Sequence, residues 1–249
     1  SVTDQSTTTA DISAKALTAT ASASNKTYDG GTTASTTLTF TGLVGSETLG
    51  QTVGSTFDNK NVGSNKTVTV NSITLSDGSG LAANYSISAG QTTTANITAK
   101  SLTVSGITAS NKIYDGNTVA TLDPIGVTYS GIVPGDSFAG SYSGSFSDKN
   151  IGTGKTVTIT SSYSGSDVSN YTVTDQSSTT ANITSRPLDV TGITVFGLTV
   201  NNKEYDGTVT APLDTSSISY SGLVEGDDFT GSYSGVFANA NVGLSLIHI

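Results

Sequence analysis

An all-β chain of small domains in tandem is what this sequence predicts, and three observations carry the prediction. Polar and β-branched residues alternate in short runs, as in Thr67-Val68-Thr69-Val70 and Thr156-Val157-Thr158-Ile159, which is the pattern of strands with one buried face. No stretch sustains a helical period. The same motifs also return along the chain at the spacing of one small domain, the mark of a repeat array. Each repeat is expected to be a small β-sandwich of the immunoglobulin-like, Greek-key kind, with a β-grasp-like arrangement as the variant. The repeats are expected to follow one another like beads on a string.

An early element of each repeat is a short strand that closes in a turn. Asn25-Lys26-Thr27-Tyr28-Asp29-Gly30 returns as Asn111-Lys112-Ile113-Tyr114-Asp115-Gly116 and again as Asn202-Lys203-Glu204-Tyr205-Asp206-Gly207. The tyrosines are 86 and 91 residues apart. The longer second interval comes from residues 195–199, which the second repeat lacks. Asp-Gly is a strong turn signal, because Gly tolerates positive φ and Asp accepts from backbone amides ahead of it. A Tyr before it can bury its ring and keep its hydroxyl bonded. The Lys two residues earlier falls on the same strand face as the Tyr.

A middle element ends on an aromatic. Phe57, Phe146 and Phe237 each precede an Asn- and Gly-rich turn, Asp58 to Gly63, Ser147 to Gly152 and Ala238 to Gly243. They read as core anchors at strand ends. A late element carries Asn84-Tyr85 or Asn170-Tyr171. These tyrosines are similar to a tyrosine corner, whose hydroxyl bonds backbone upstream and pins an arch. Leu81-Ala82-Ala83 is expected to form one helical turn before Tyr85. The closing strand repeats as Thr94-Ala95-Asn96-Ile97-Thr98 and Thr180-Ala181-Asn182-Ile183-Thr184. In the second repeat the strands are expected at residues 101–107, 118–122, 126–132, 136–146, 155–162 and 171–183, the last bending into two.

These motifs set the domain boundaries. Residues 1–13 are the tail of a preceding repeat, since Val2-Thr3-Asp4-Gln5 matches Val173-Thr174-Asp175-Gln176. The three repeats are residues 14–98, 99–184 and 185–243, the third truncated at its C-terminal side with open strand edges. The linkers, residues 97–102 and 183–188, are too short to act as loose tethers. Residues 244–249, Leu-Ser-Leu-Ile-His-Ile, do not continue the repeat and read as a translated library-adapter sequence, non-native to the fold.

Composition narrows the function. Charged residues make up 12% of the chain and the net charge is −9. Phosphate binding needs clustered Lys and Arg, so a nucleic-acid partner is not expected. No apolar run is long enough to span a membrane as a helix. There is no Cys, which excludes disulfides and thiolate metal sites. All ten basic residues fall at repeated positions, so none is reserved for a unique catalytic centre. The one His is His248, in the adapter-like tail. Nucleophilic catalysis needs a nucleophile with a base in reach, and no such pair recurs. An enzyme is not expected, and neither is a cofactor. Ca2+ is the one cation the Asp- and Asn-rich turns admit, yet Asp58 and Asp148 do not align and no EF-hand loop occurs. A Lys–Asn cross-link, Lys26 to Asn96 or Lys112 to Asn182, is a further chemistry of Cys-free domains. The sequons Asn96-Ile97-Thr98 and Asn182-Ile183-Thr184 fit the composition of so Asn- and Thr-rich a chain by chance.

Taken together, Asn-Lys-x-Tyr-Asp-Gly, the Phe-led turn ending in Lys-Thr-Val, and Asn-Tyr followed by Thr-Ala-Asn-Ile-Thr make a combination that resembles the YDG repeat domains. Such domains occur in tandem in large bacterial surface adhesins of the filamentous-haemagglutinin type. The resemblance covers nearly all of residues 1–243. Ala240 departs from it, standing where the other repeats have Lys60 and Lys149. So does Glu47, standing where they have Asp136 and Asp227. The resemblance implies an extracellular or outer-surface location, with export signals outside this segment, and no enzymatic activity.

Two functions follow as expectations. In the first, a monomeric array acts as a stalk, adding length between the cell and a distal region that binds host-cell or neighbouring-cell glycans or proteins. In the second, the repeats themselves bind. Their ligand contacts would then be Tyr142 and Tyr233, with Tyr163 and Tyr220, expected to be exposed on Gly- and Ser-rich segments. Burial of these tyrosines favours the stalk, and a single exposed face of them favours binding.

Overall fold

The structure, a computed structural model, describes residues 7–187, 194–243 and 247–248, with side chains at 194–196 and 247–248 left aside. Val2 to Gln5, the far end of the second linker and residues 244–246 and 249 lie outside the described residues. Within them the protein is all-β, built of several sheets. Among the described residues the only helical turns are the 3-10 turns Ala82–Asn84 and Val168–Asn170. Both stand directly before the Asn-Tyr tyrosines. No described helix is long and apolar enough to cross a membrane.

The chain divides into two compact units. One holds residues 1–106, 126–142 and 161–176 and therefore includes the whole first repeat and part of the second. In the first repeat a five-stranded sheet runs in the order Lys26–Thr27, Thr92–Thr98, Gly63–Asp77, Leu49–Phe57, Thr33–Ala34. The edge strand lies parallel to Thr92–Thr98, pairing Lys26 with Ile97, and every other pair is antiparallel. Alternation places Val68, Val70, Ala95 and Ile97 on the buried face beside Phe57, while the intervening threonines stay polar-side out. An antiparallel ribbon, Thr18–Ala23 with Thr36–Thr41, adds Leu38 to the core.

The same unit contains a three-stranded sheet of second-repeat residues. Lys100–Ser105 lies between Thr128–Ser130, antiparallel, and Tyr171–Thr174, parallel. Leu102 and Val104 bury its inner face.

The other unit holds residues 107–125, 143–160 and 177–249. The second repeat's main sheet, whose two long strands fall in this unit over residues 143–160, repeats the first one strand for strand, in the order Lys112–Ile113, Ser178–Thr184, Gly152–Ser164, Ala139–Phe146, Val119–Ala120. Ala120, Phe146, Val157, Ala181 and Ile183 form its core. In the third repeat, Thr210–Ala211 pairs with Gly235–Phe237, and Ile247–His248 adds to the far side of Gly235–Phe237. The adapter-like tail thus supplies a strand. An unpaired edge accepts any extended β-branched segment that reaches it.

A bulge recurs at the start of the long hairpin strand. The register slips between Gly63 and Lys66 and again between Gly152 and Lys155. The residue at the slip is left-handed in both, Asn65 at φ 51° and Gly154 at φ +58°. Its N–H is received by Asn96 Oδ1 at 2.8 Å in one repeat and Asn182 Oδ1 at 2.7 Å in the other. Those asparagines in turn donate their own backbone N–H to Asn25 and Asn111, each at 2.7 Å. The closing-strand Asn is therefore a bulge cap, tied to the first residue of the Tyr-Asp-Gly motif.

Candidate functional site

The ammonium of Lys26 is committed to its own turn. Its ammonium bonds Asp29 at 2.7 Å and the carbonyls of Gly31 and Thr33 at 2.7 and 3.2 Å. It also lies 5.6 Å from the centroid of the Phe57 ring. Lys112 does the same with Asp115 and Phe146, and Lys203 with Asp206 and Phe237, both at 5.7 Å from the ring. The two motifs that looked separate in sequence are one cluster in space. The Lys closes the turn and caps the aromatic anchor by a cation–π contact. The turn Asp also accepts the N–H two residues on, at 2.9 Å in Gly31, 3.2 Å in Asn117 and 2.9 Å in Thr208. Its carboxyl is held below the usual aspartate value by the Lys, and at Asp206 it reaches about 2.

The Phe-led turns are closed the same way. Lys66 pairs with Asp58 at 2.8 Å, and Lys155 pairs with Asp148 at 2.6 Å. One lysine position thus serves two aspartates that do not align in sequence. Among the described residues no group of three or more His, Cys, Asp or Glu side chains is placed to hold a metal.

The Tyr of the motif points away from this turn and reaches the following repeat. Tyr28 is 1% exposed. Its hydroxyl lies 3.0 and 2.9 Å from the two carboxylate oxygens of Asp136. Asp136 also accepts from the hydroxyl of Tyr171 and from Lys60 at 3.1 Å. Lys60 reaches on to Asp167 at 2.7 Å and lies 5.8 Å over the Tyr28 ring. Asn170 Oδ1 accepts the Val62 N–H at 2.9 Å. The Tyr28 and Tyr171 rings meet edge to face at 5.6 Å. Gly30, at φ +80°, lies so close to Val133 that a Cβ would stand 2.8 Å from its Cγ1. We call this assembly a clasp. One side is Tyr28, Gly30, Lys60 and Val62 of the first repeat, and the other is Val133, Asp136, Asp167, Asn170 and Tyr171 of the second.

The second unit contains the same clasp one repeat later. Tyr114 donates to Asp227, and Lys149 lies 3.4 Å from the same carboxylate. Gly116 lies against Val224 in the close approach that Gly30 makes to Val133. This clasp is more open: the Asp227 side chain is 26% exposed against 3% for Asp136. A cavity of about 200 Å3 beside it is lined by Tyr114, Ile151, Val224, Asp227 and Phe229. In the first clasp the corresponding neighbours of Tyr28 and Val62 are Tyr171 and Asn170.

Electrostatics tighten the first clasp. Burial alone would raise the Asp136 carboxyl, but Tyr171, Tyr28 and Lys60 outweigh it and hold it below the ordinary aspartate value. Asp167 is pulled to about 2, chiefly by Lys60 and then by the Ser137 N–H. Lys60 is raised, by Asp167 first. Tyr171 is pushed up to about 12 by burial and by its bond to Asp136.

The late tyrosines also bond upstream backbone. Tyr85 and Tyr171 accept the N–H of Val44 at 3.1 Å and of Val133 at 2.9 Å. Tyr85 then donates to Glu47, as Tyr171 does to Asp136. At Asp136 the acid thus takes one Tyr from its own repeat and one from the repeat before it. Tyr205 is the exception among the motif tyrosines, at 69% exposed.

Tyr142 and Tyr233 do not stand out on open loops. Both are half-buried. Tyr142 shares a hydrogen bond with Tyr129 at 2.9 Å, and Tyr233 donates to Tyr220 at 2.9 Å. Tyr163 donates to Asp175 and packs on Phe138 at 5.1 Å. Gly140 and Gly231, two residues before these tyrosines, lie directly under the paired hydroxyls. Gly140, in the strand Ala139–Phe146, is thus a strand glycine covered by a same-face aromatic, and Gly231 is covered in the same way just before the strand Gly235–Phe237, a reading that the low-complexity look of the segment concealed.

The fold and the clasp define a class: an array of all-β repeats in which the turn tyrosines of the first two repeats, Tyr28 and Tyr114, grip the acid of the next. A family model agrees and is more specific. The YDG domain matches three times, over residues 13–95, 98–181 and 189–245, and the chain belongs to that family. No curated protein and no solved structure matches the chain.

Proposed function

We propose that the chain is a stalk or spacer segment of a large bacterial cell-surface or secreted adhesin, holding a binding region away from the cell. The observation that carries this reading is the clasp. The motif's Tyr, Gly and neighbouring Lys are engaged between successive repeats, so the most repeated chemistry of the sequence serves continuity along the chain. A stalk needs that continuity, and a catalytic or ligand site would need the same groups free. The reading assigns no reaction, no cofactor and an extracellular location. The alternative, in which the repeats themselves bind host glycans or proteins, has less support because Tyr142 and Tyr233 have their hydroxyls paired and their rings half-buried.

A binding screen of the whole chain against host glycans and host surface proteins tests the choice. The stalk reading expects no saturable binding. Saturable binding that is lost in Tyr142→Ala or Tyr233→Ala would replace it with the adhesion-module reading.

A further inference from the structure

We propose that Tyr129 with Tyr142, and Tyr220 with Tyr233, are oxidative coupling sites, each pair closing into a dityrosine when a haem peroxidase oxidises the chain with hydrogen peroxide. The inference stands apart from the stalk reading. Its basis is a pair of phenols whose hydroxyls are held together over a glycine, built the same way in two repeats.

In the second repeat the hydroxyls of Tyr129 and Tyr142 lie 2.9 Å apart. In the third, those of Tyr220 and Tyr233 also lie 2.9 Å apart. Tyr129 and Tyr220 each stand four residues before a turn valine, Val133 or Val224. Tyr142 and Tyr233 each stand four before an aromatic anchor, Phe146 or Phe237. A Cβ on Gly140 would stand 2.8 Å from the Tyr129 hydroxyl and closer still to that of Tyr142. A Cβ on Gly231 would stand 2.5 Å from the Tyr233 hydroxyl and 3.1 Å from that of Tyr220. Neither glycine has a positive φ, so the backbone does not demand one there. The missing side chain instead leaves room for the two phenol ends to meet. The fold itself does not need that meeting. At the matching positions the first repeat has Phe40 and Val53 in place of the tyrosines and Gln51 in place of the glycine. Gln51 there bonds the Leu38 backbone, at 3.0 and 2.7 Å. Glycine and phenol pair therefore occur together or not at all.

Coupling joins the ring carbons next to the hydroxyls. In the biphenol product the two hydroxyls flank the new bond, so the pairing already holds the phenols in an arrangement the product keeps. Each phenol first gives up one electron and one proton. The ortho carbons of the two phenoxyl radicals then bond. Each ring moves the hydrogen of its bonding carbon to its own oxygen and regains aromaticity. The two electrons and two protons released reduce one hydrogen peroxide to two waters. Free phenoxyl radicals combine with whatever they meet, whereas a held pair makes the step unimolecular. All four tyrosines are half-buried, which leaves part of each within reach of an outside oxidant. The first bond ties the strand Thr128–Ser130 to the strand Ala139–Phe146, which belongs to another sheet. In a chain with no Cys, it supplies the covalent tie that a disulfide supplies elsewhere.

Oxidation of the full chain at low concentration with a haem peroxidase and hydrogen peroxide tests this, read by mass spectrometry after cleavage before aspartate. Cleavage at Asp136 and at Asp227 separates the partners of each pair. The fragments carrying Tyr129 and Tyr142 should be recovered joined, and so should those carrying Tyr220 and Tyr233. Each product should be lighter than its two fragments by two hydrogen atoms. Tyr129→Phe should lose the first bond and keep the second, and Tyr220→Phe the reverse. Gly140→Gln keeps both phenols of the first pair but parts their hydroxyls, and should lose the first bond alone. The residues introduced at 129 and 140 are those the first repeat carries at the same places. Tyrosines that stay uncoupled while peroxide is consumed overturn the proposal, as does a first bond that survives Gly140→Gln. So do products through Tyr205, which is 69% exposed, or Tyr163, whose ring lies 6.4 Å from that of Tyr142, in place of the paired ones. Exposure or nearness of rings, and not the hydroxyl pairing, would then direct the coupling.

Discussion

Tyr28, Tyr114 and Tyr205 are one residue in three surroundings, and the differences among them give the clearest test of the clasp. Tyr28 bonds a nearly buried carboxylate, Tyr114 a partly exposed one, and Tyr205 is exposed. Losing a hydroxyl that donates to a buried charge costs about 1.5–3 kcal/mol. Urea denaturation should therefore show Tyr28→Phe destabilising by about that amount, Tyr114→Phe by less, and Tyr205→Phe not measurably. Equal effects at all three positions would make the tyrosine a turn residue only. The acids of the first clasp also set a pH dependence. Asp136 and Asp167 titrate lower in the folded chain than unfolded. Their contribution is complete above about pH 4 and is lost as pH falls toward about 2. Calorimetry should show the melting temperature falling across that window, and Asp136→Asn, lower throughout, should fall less steeply. On the alkaline side Tyr171 is raised to about 12. Its contribution holds below about pH 10 and is lost as pH rises toward about 12.

At the scale of elements, turns and bulges carry the specificity. Gly30 and Gly207 share positive φ, but only Gly30 lies against a valine. Gly207→Ala should cost about 1–2 kcal/mol for the left-handed backbone alone. Gly30→Ala should cost more, because its Cβ also meets Val133, and the difference between the two measures the packing of the clasp. The bulge predicts an asymmetry of another kind. Asn65 and Gly154 occupy the same left-handed position, so Asn65→Gly should be nearly neutral. Asn65→Val, a β-branched residue forced to φ 51°, should destabilise by about 1–3 kcal/mol in chemical denaturation. Much of this was legible. The Asp-Gly turns, the Phe anchors, the 3-10 turn before Tyr85 and the alternating strands all follow from local pattern. The parallel pairing of Lys26–Thr27 with Thr92–Thr98 was not, because local alternation is the same for parallel and antiparallel neighbours.

For the whole molecule, the compact units do not coincide with the sequence period. Residues 126–142 and 161–176 of the second repeat group with the first repeat. A segment cut at the motif boundaries, residues 14–98, leaves Tyr28, Lys60 and Val62 without their partners. It should melt at a lower temperature than the same residues within 14–184, with faster hydrogen exchange at the Val62 amide. Identical melting in the two contexts would return the repeats to independent beads.

By itself the sequence determined the period, the strand and turn residues, the all-β class and the family, because each rests on patterns within a few residues or on copies of a pattern. It also marked Glu47 and Ala240 as departures without saying what they depart from. Only the tertiary structure decided that the motif tyrosine belongs to the next repeat. Tyr28 and Asp136 stand 108 residues apart, and a single carboxylate in a Gly-rich turn carries no local signal that a phenol from another repeat will meet it. The contact exists because the edge strand and the following repeat's Val133–Asp136 turn are brought to one place by packing, and burial then makes the hydrogen bond matter.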